Sequence, residues 1–356
     1  MANQNRDKKK KIFELFSQNL EWVKEHPSIS FQPDFSNGYL CPLCFEVFYE
    51  KDLDSSLSNY LTLEDVPPKS LGGKPLTLTC KTCNSRSGHE LDNHLLNRLL
   101  ELDSHSFLPN SKTDTTFELN GNEVNGTVEV DKEGKLKLEV QTNRSNPIKA
   151  QKFNEDLIPP RTIYNPLFYP DKVFDNGFKT LPFSLKFKKT SNERRAEIAL
   201  LRVAYLLAYS VLGNGFYING ALYKIREQIL NPDKKIIPDV FWIKYEFPKQ
   251  MEGINIITLP KELRCFLVIF RLETKSISRQ FAIVLPGPSE LGLKVYDYIL
   301  SNLCVGDGTE FMNGTSEHIE EKDFLKNKDY AFASNWYWQE YTKEDYKPNF
   351  LPDEEK

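Results

Sequence analysis

Apolar positions near the start of the chain recur at Ile12, Phe13, Leu15, Phe16, Leu20, Trp22 and Val23, a helical spacing that stops at Pro27. The same period returns at Leu91, Leu95 and Leu99 and, more strongly, across residues 193–212, where Ala196, Leu200, Val203, Leu207 and Val211 form one stripe. Residues 220–230 predict a further helix. Between 115 and 140 the period changes to two, and Asn120-Gly121 and Glu133-Gly134 punctuate the alternation, which predicts a β-meander. Strands are expected at 241–247, 264–272 and 280–285, the last two joined as a hairpin through 273–278. Pro159, Pro160, Pro166 and Pro170 mark a linker, and the charged end from Glu340 onward reads as a flexible tail. No internal repeat is present.

The longest apolar run, 196–212, carries Arg202 near its middle and is short for a bilayer span, so a buried core helix is expected and no membrane partner. Residues 1–11 are polar and basic with no apolar segment behind them, so no secretory signal is expected and the location implied is cytoplasmic. Hydrophobic residues make up 40% and charged residues 27% of the 356, ordinary values for a globular chain. The net charge of −4 excludes a strongly basic protein, so any nucleic-acid contact must come from a local patch. Two stretches qualify: the lysine run at 8–11, and Lys186, Lys188, Lys189, Arg194 and Arg195. Lys186 and Lys188 share one strand face; an ordinary solvated edge strand accounts for them equally well.

Candidate chemistry is concentrated in the cysteines. Four of the six form two Cys-x-x-Cys pairs, Cys41/Cys44 and Cys80/Cys83. With no export signal, this spacing points to metal rather than disulfides, and four thiolates suit one closed tetrahedral zinc site. Cys265 and Cys304 stand alone in apolar stretches and read as core. Between the pairs, Leu61, Leu63 and Val66 suggest a strand, and Pro67-Pro68 and Gly72-Gly73 suggest the turn of a hairpin. After Cys83 the Leu91, Leu95, Leu99 stripe predicts an amphipathic helix.

Knuckle, hairpin, second knuckle and helix, over residues 41 to about 98, resemble the treble-clef HNH endonucleases of the His-Me finger superfamily. In that family the hairpin strand carries an acid, a histidine, an aliphatic residue and a proline; the corresponding positions are Glu64, Asp65, Val66 and Pro68. The family has His or Asn directly after the last cysteine, here Asn84, and Gly72-Gly73 matches the turn. Asp65 stands where the catalytic histidine is usual, and the family's middle asparagine is not evident in residues 74–79.

The resemblance implies phosphodiester hydrolysis in nucleic acid, DNA ahead of RNA, with a divalent Mg²⁺ or Mn²⁺ held by Glu64 and Asn84. Asp65 is the base by position. An imidazole titrates closer to neutrality, which makes His89 the candidate replacement. It lies about 7.5 Å along the helix axis from Asn84, against about 15 Å for His94, and Asp92 is placed to orient its ring. An acidic turn before Pro-Pro explains Glu64 and Asp65 without catalysis. Lys69, Lys74, Lys81 and Arg86 surround the motif, yet residues 41–106 hold ten acidic side chains against six basic ones.

The expected architecture is therefore α+β. It comprises an N-terminal helix (1–40), a zinc module (41–106), a β-rich region with linker (107–180), an α+β C-terminal domain (181–339) and a tail (340–356). The leading function is a metal-dependent HNH-type endonuclease, by analogy a prokaryotic defence effector. The alternative is a non-catalytic zinc module that binds nucleic acid or protein.

Overall fold

The computed structural model describes residues 2–26, 29–141, 147–157, 184–218, 220–238, 242–243, 246–287, 292–302, 315–319 and 323–331. The linker prolines at 159, 160, 166 and 170, Cys304 and the tail from 340 lie outside them. The architecture is mixed α+β, with several small antiparallel sheets. Two compact units divide the chain: Met1–Leu96 with Ser191–Thr274 and Ser278–Lys356, and Asn97–Thr190 with Lys275–Ile277. The boundary expected at 40/41 falls inside the first unit, and those expected at 106/107 and 180/181 fall ten residues inside the second, whose main segment ends at 96/97 and 190/191. The cysteine segment folds together with the helix and sheet that follow residue 190, a non-local pairing that composition shifts along the chain do not reveal.

In the first unit, helix α1 (Ala2–Lys24) precedes two short strands, β1 (Tyr39–Leu40) and β2 (Val47–Phe48). They pair antiparallel, Tyr39 opposite Phe48. Next comes the hairpin of β3 (Leu61–Val66) and β4 (Lys74–Cys80). Its register runs from Leu61 opposite Cys80 to Val66 opposite Lys74, with an irregularity between Glu64 and Asp65. Helices α2 (Lys81–Ser87) and α3 (Asn93–His105) follow, joined by a π-helical turn over Gly88–Asp92, and α3 runs from Asn97 onward into the second unit. The buried faces match the expected stripes: Phe13, Phe16, Leu20 and Val23 on α1, and Leu91, Leu95 and Leu99 after Cys83.

The second unit has β5 (Lys112–Leu119), β6 (Asn122–Val130), β7 (Leu136–Val140), helix α4 (Pro147–Leu157) and β8 (Ser184–Phe187). The expected meander forms, in the order β7-β6-β5-β8. Phe117, Leu119, Val124, Val128 and Phe153 make its core. Gly126 sits mid-strand because a Cβ there would lie 2.3 Å from both the Phe117 ring and the Glu139 carbonyl oxygen.

Back in the first unit, α5 (Glu193–Leu212) is capped by the Asn192 side chain, which accepts from the Arg195 amide at 3.1 Å. It ends at Gly213, whose φ of 66° lies in the left-handed region. Then come α6 (Ala221–Leu230), β9 (Trp242–Ile243), β10 (Gly253–Leu259), β11 (Cys265–Glu273) and β12 (Ser278–Pro286). Helix α7 (Lys294–Asn302), β13 (Thr315–Ile319) and α8 (Asp323–Lys326) complete it. The five strands form one antiparallel sheet in the order β13-β10-β11-β12-β9, and the hairpin expected from 264–285 is β11-β12. Residues 241, 244 and 245 of the strand expected at 241–247 lie outside the described set.

Glu193–Tyr217 is the one stretch among the described residues long and apolar enough to cross a membrane, and 78% of its most apolar window is buried. Ile198, Leu201, Val203, Tyr205, Leu206 and Tyr209 are fully enclosed, each such burial worth roughly 1.5–3 kcal/mol. Cys265 is a buried free thiol of this core.

Candidate functional site

The turn between β1 and β2 is a knuckle. The Cys41 amide donates to the Glu46 carbonyl and the Phe45 amide to the Cys41 carbonyl, both at 3.0 Å. Phe45 closes it at φ 66°, a conformation that favours glycine and costs a side-chain-bearing residue about 1–2 kcal/mol. The ring's contacts explain why a phenylalanine is retained. It packs 4.5 Å from the Tyr217 ring, and the Arg226 guanidinium of α6 lies 3.3 Å from its centroid. The Tyr205 hydroxyl of α5 donates to the Pro42 carbonyl at 3.0 Å, so the knuckle is gripped from residues far downstream.

The second pair of thiols sits where β4 turns into α2. The Cys83 amide donates to Cys80 Sγ and the Cys80 amide to Cys41 Sγ, each at 3.4 Å, contacts that stabilise thiolate. Hydrogen bonding from Cys41 holds the Cys44 and Cys80 thiols below their ordinary range, while burial pushes Cys41 up. The sulfurs of Cys41, Cys44, Cys80 and Cys83 all lie within 4.8 Å of one another, and Cys44 and Cys80 are 3.8 Å apart. Zinc–thiolate bonds of about 2.3 Å in a tetrahedron separate sulfurs by about 3.8 Å. The four cysteines can hold one metal ion, and the set is compatible with structural zinc. Tyr39 ties this centre to the hairpin: its hydroxyl shares a 2.8 Å bond with Thr77, donates to the Leu78 carbonyl at 2.7 Å and accepts the Leu78 amide at 3.0 Å.

The acidic motif on β3 divides in two. Glu64 is 3% exposed; Oε2 accepts the Thr79 hydroxyl at 2.6 Å and Oε1 accepts Arg202 Nη2. Arg202, 1% exposed on α5, also donates from Nη1 to Asp92 Oδ1 at 2.9 Å. A guanidinium thus already neutralises Glu64, and a divalent ion does not fit there while it stays. Asp65 is partly open. Burial and the Glu64 charge raise its carboxyl, against a downward pull from Lys69 and Lys8. Asn84 leans on the same strand: its Nδ2 donates to Thr62 Oγ1 at 2.8 Å and to the Leu63 carbonyl at 3.3 Å, and Oδ1 accepts no hydrogen bond among the described residues.

Two placements differ from expectation. His89 is exposed in the π turn, and Asp92, expected to orient its ring, is committed to Arg202 instead. A π turn takes more than 3.6 residues, so positions after Gly88 rotate away from the angles that an ideal helix assigns them. The basic patch expected around Lys186 is largely neutralised, since Lys186 pairs with Glu118 at 2.8 Å and with Glu123, and Arg195 pairs with Asp233 at 2.7 Å. The cations near the motif are others. Lys9 and Lys81 lie 5.2 Å and 5.1 Å from the Tyr60 ring centroid, and an open cleft of ≈ 940 Å³ is lined by Arg6, Lys9, Lys10, Lys51 and Leu63, with Asp7, Glu50 and Asp54.

Arg202 is the site residue that sequence reasoning missed. Its signal was present, a lone charge inside the most apolar helix of the chain, since such a charge is buried only with a partner. No family model, no curated protein and no solved structure matches the chain.

Proposed function

We propose that this chain is an HNH-type endonuclease that hydrolyses phosphodiester bonds in nucleic acid, DNA ahead of RNA, on a zinc-organised treble clef. The observation that carries it is the convergence of a four-cysteine centre, a β-hairpin and a helix, with Asp65 on β3 and Asn84 of α2 hydrogen-bonded to that strand at Thr62 and Leu63. Asp65 is the group for taking a proton from water, since partial burial raises its basicity. The charges of Lys69 and Lys8 act on it, and the cleft carries Arg6, Lys9, Lys10 and Lys51 against Asp7, Glu50 and Asp54, a small excess of positive charge for a phosphate backbone. Asn84 offers a free side-chain oxygen at the edge of β3. A bound Mg²⁺ or Mn²⁺ would stabilise the departing oxyanion. The four cysteines organise the fold and take no part in the step.

A second reading has its own observation. The closed Glu64–Arg202–Asp92 cluster is what a non-catalytic zinc module would keep, one that binds nucleic acid or protein. Purified protein incubated with plasmid and with single-stranded DNA and RNA, in Mg²⁺, in Mn²⁺ and without divalent ion, separates the two. Ion-dependent cleavage lost in Asp65→Asn supports the nuclease. Binding without cleavage at any ion concentration, with zinc content intact, supports the module.

A further inference from the structure

The acidic residue that a metal-dependent mechanism would assign to its ion, Glu64, is only 3% exposed. Glu64 and Asp92 come from a strand and a π turn, and Arg202 reaches both from a helix more than a hundred positions later. Two carboxylates facing one cation are the donor set of a hard divalent ion. Here a guanidinium stands between them, using Nη1 for Asp92 and Nη2 for Glu64, while its buried Nε has no partner. Each Glu64 oxygen carries one hydrogen bond, the second from Thr79, so the carboxylate is also fixed in rotation.

We propose that Arg202 is the resident cation of this site: its guanidinium occupies, between Glu64 and Asp92, the place a divalent ion would take. Glu64 is then a positioning residue that locks β3 to α5, not an ion ligand. The acid on β3 left for an ion or for water is Asp65, and Asn84 of α2, held against that strand through its Nδ2, keeps its Oδ1 free of hydrogen bonds among the described residues. The π turn has a purpose in this arrangement. By inserting extra length before α3 it presents Asp92 to Arg202 while Leu91 and Leu95 stay buried. The inference rests on the nuclease reading for what an ion would be for, but not for where one can bind.

The test is Mn²⁺ binding to the full-length, zinc-loaded chain, read by electron paramagnetic resonance, for the natural protein, Glu64→Gln, Arg202→Gln and the double variant. Glu64→Gln is expected to leave Mn²⁺ affinity unchanged, or to leave its absence unchanged if none binds. Arg202→Gln is expected to gain a Mn²⁺ site that the double variant lacks. A tenfold or greater loss of Mn²⁺ affinity in Glu64→Gln overturns the proposal, and so does a folded Arg202→Gln that gains no site. Should Arg202→Gln lose its zinc and helical signal, Glu64→Gln alone decides, since glutamine keeps the shape of the side chain. Failure of the nuclease reading is a separate result: cleavage absent throughout, whatever the Mn²⁺ titrations show.

Discussion

Arg202 on α5 donates to Glu64 on β3 across 138 positions of sequence, with the two residues only 1% and 3% exposed. Removing one partner of such a pair strands a buried charge, which typically costs about 3–5 kcal/mol. Glu64→Ala and Arg202→Ala should therefore each lower stability by that order in urea unfolding. The triple change Glu64→Leu, Asp92→Asn and Arg202→Met should recover much of the loss, because it removes both carboxylates together with their cation and strands no charge. Additive losses in the triple variant would show that the side chains do not depend on one another. A loss of cleavage in Glu64→Ala must be read against this loss of fold.

Single Cys→Ser changes at Cys41, Cys44, Cys80 or Cys83 should release the metal and unfold the segment around the hairpin, since structural zinc supplies folding energy directly. Metal analysis of the purified natural protein should find one zinc per chain. Zinc retained at full stoichiometry in a Cys83→Ser variant would remove that residue from the centre.

Tyr39→Phe isolates the tie between the knuckle and β4. The buried hydroxyl meets Thr77 and both polar groups of Leu78, and burial pushes the phenol well above its usual range. Its loss should cost roughly 1–3 kcal/mol with zinc content unchanged. A stability equal to that of the natural protein would mean that water replaces the hydroxyl.

Asp92 gives stability a pH dependence of known sign. Burial raises its carboxyl to about 6, opposed by Arg202 and reinforced by the Glu64 charge. A raised folded-state value means that the native state binds the proton more tightly than the unfolded chain does, so stability falls as pH rises from about 4 through about 6. Thermal unfolding of Asp92→Asn should lack this slope. An identical slope in both proteins would place the titration elsewhere.

Asp65→Asn should lower any cleavage rate by about 10²–10⁴, the usual share of a general base. His89→Ala, which removes an exposed ring with no hydrogen-bond partner among the described residues, should leave rate and zinc unchanged. A limb of the pH–rate profile that disappears in His89→Ala would return the base to that residue.

What the sequence shows well is local. The two Cys-x-x-Cys pairs, the Gly72-Gly73 turn, the stripe after Cys83 and the alternation from 115 to 140 each sit within one element or one hairpin, where residue spacing reports geometry directly. The π turn over Gly88–Asp92 escapes such reading because its residues also suit an α-helix. The partners of Arg202 escape it because contacts across 110 and 138 positions leave no period in the chain. Arg202 still stood out as a charge on an apolar face, which predicts that a partner exists without saying which.

The interrupted layout of the first unit has a consequence for synthesis. The hairpin and all four cysteines leave the ribosome long before α5, and the whole of Asn97–Thr190 must be made in between. At roughly 5–20 residues per second, the 138 positions that separate Glu64 from Arg202 correspond to a delay on the order of ten seconds. Over that interval the nascent hairpin carries its acids without their cation. A metal ion captured by the four thiolates would keep the segment ordered until the arginine emerges, so zinc supply during translation, more than zinc in the finished protein, should govern the yield of folded chain.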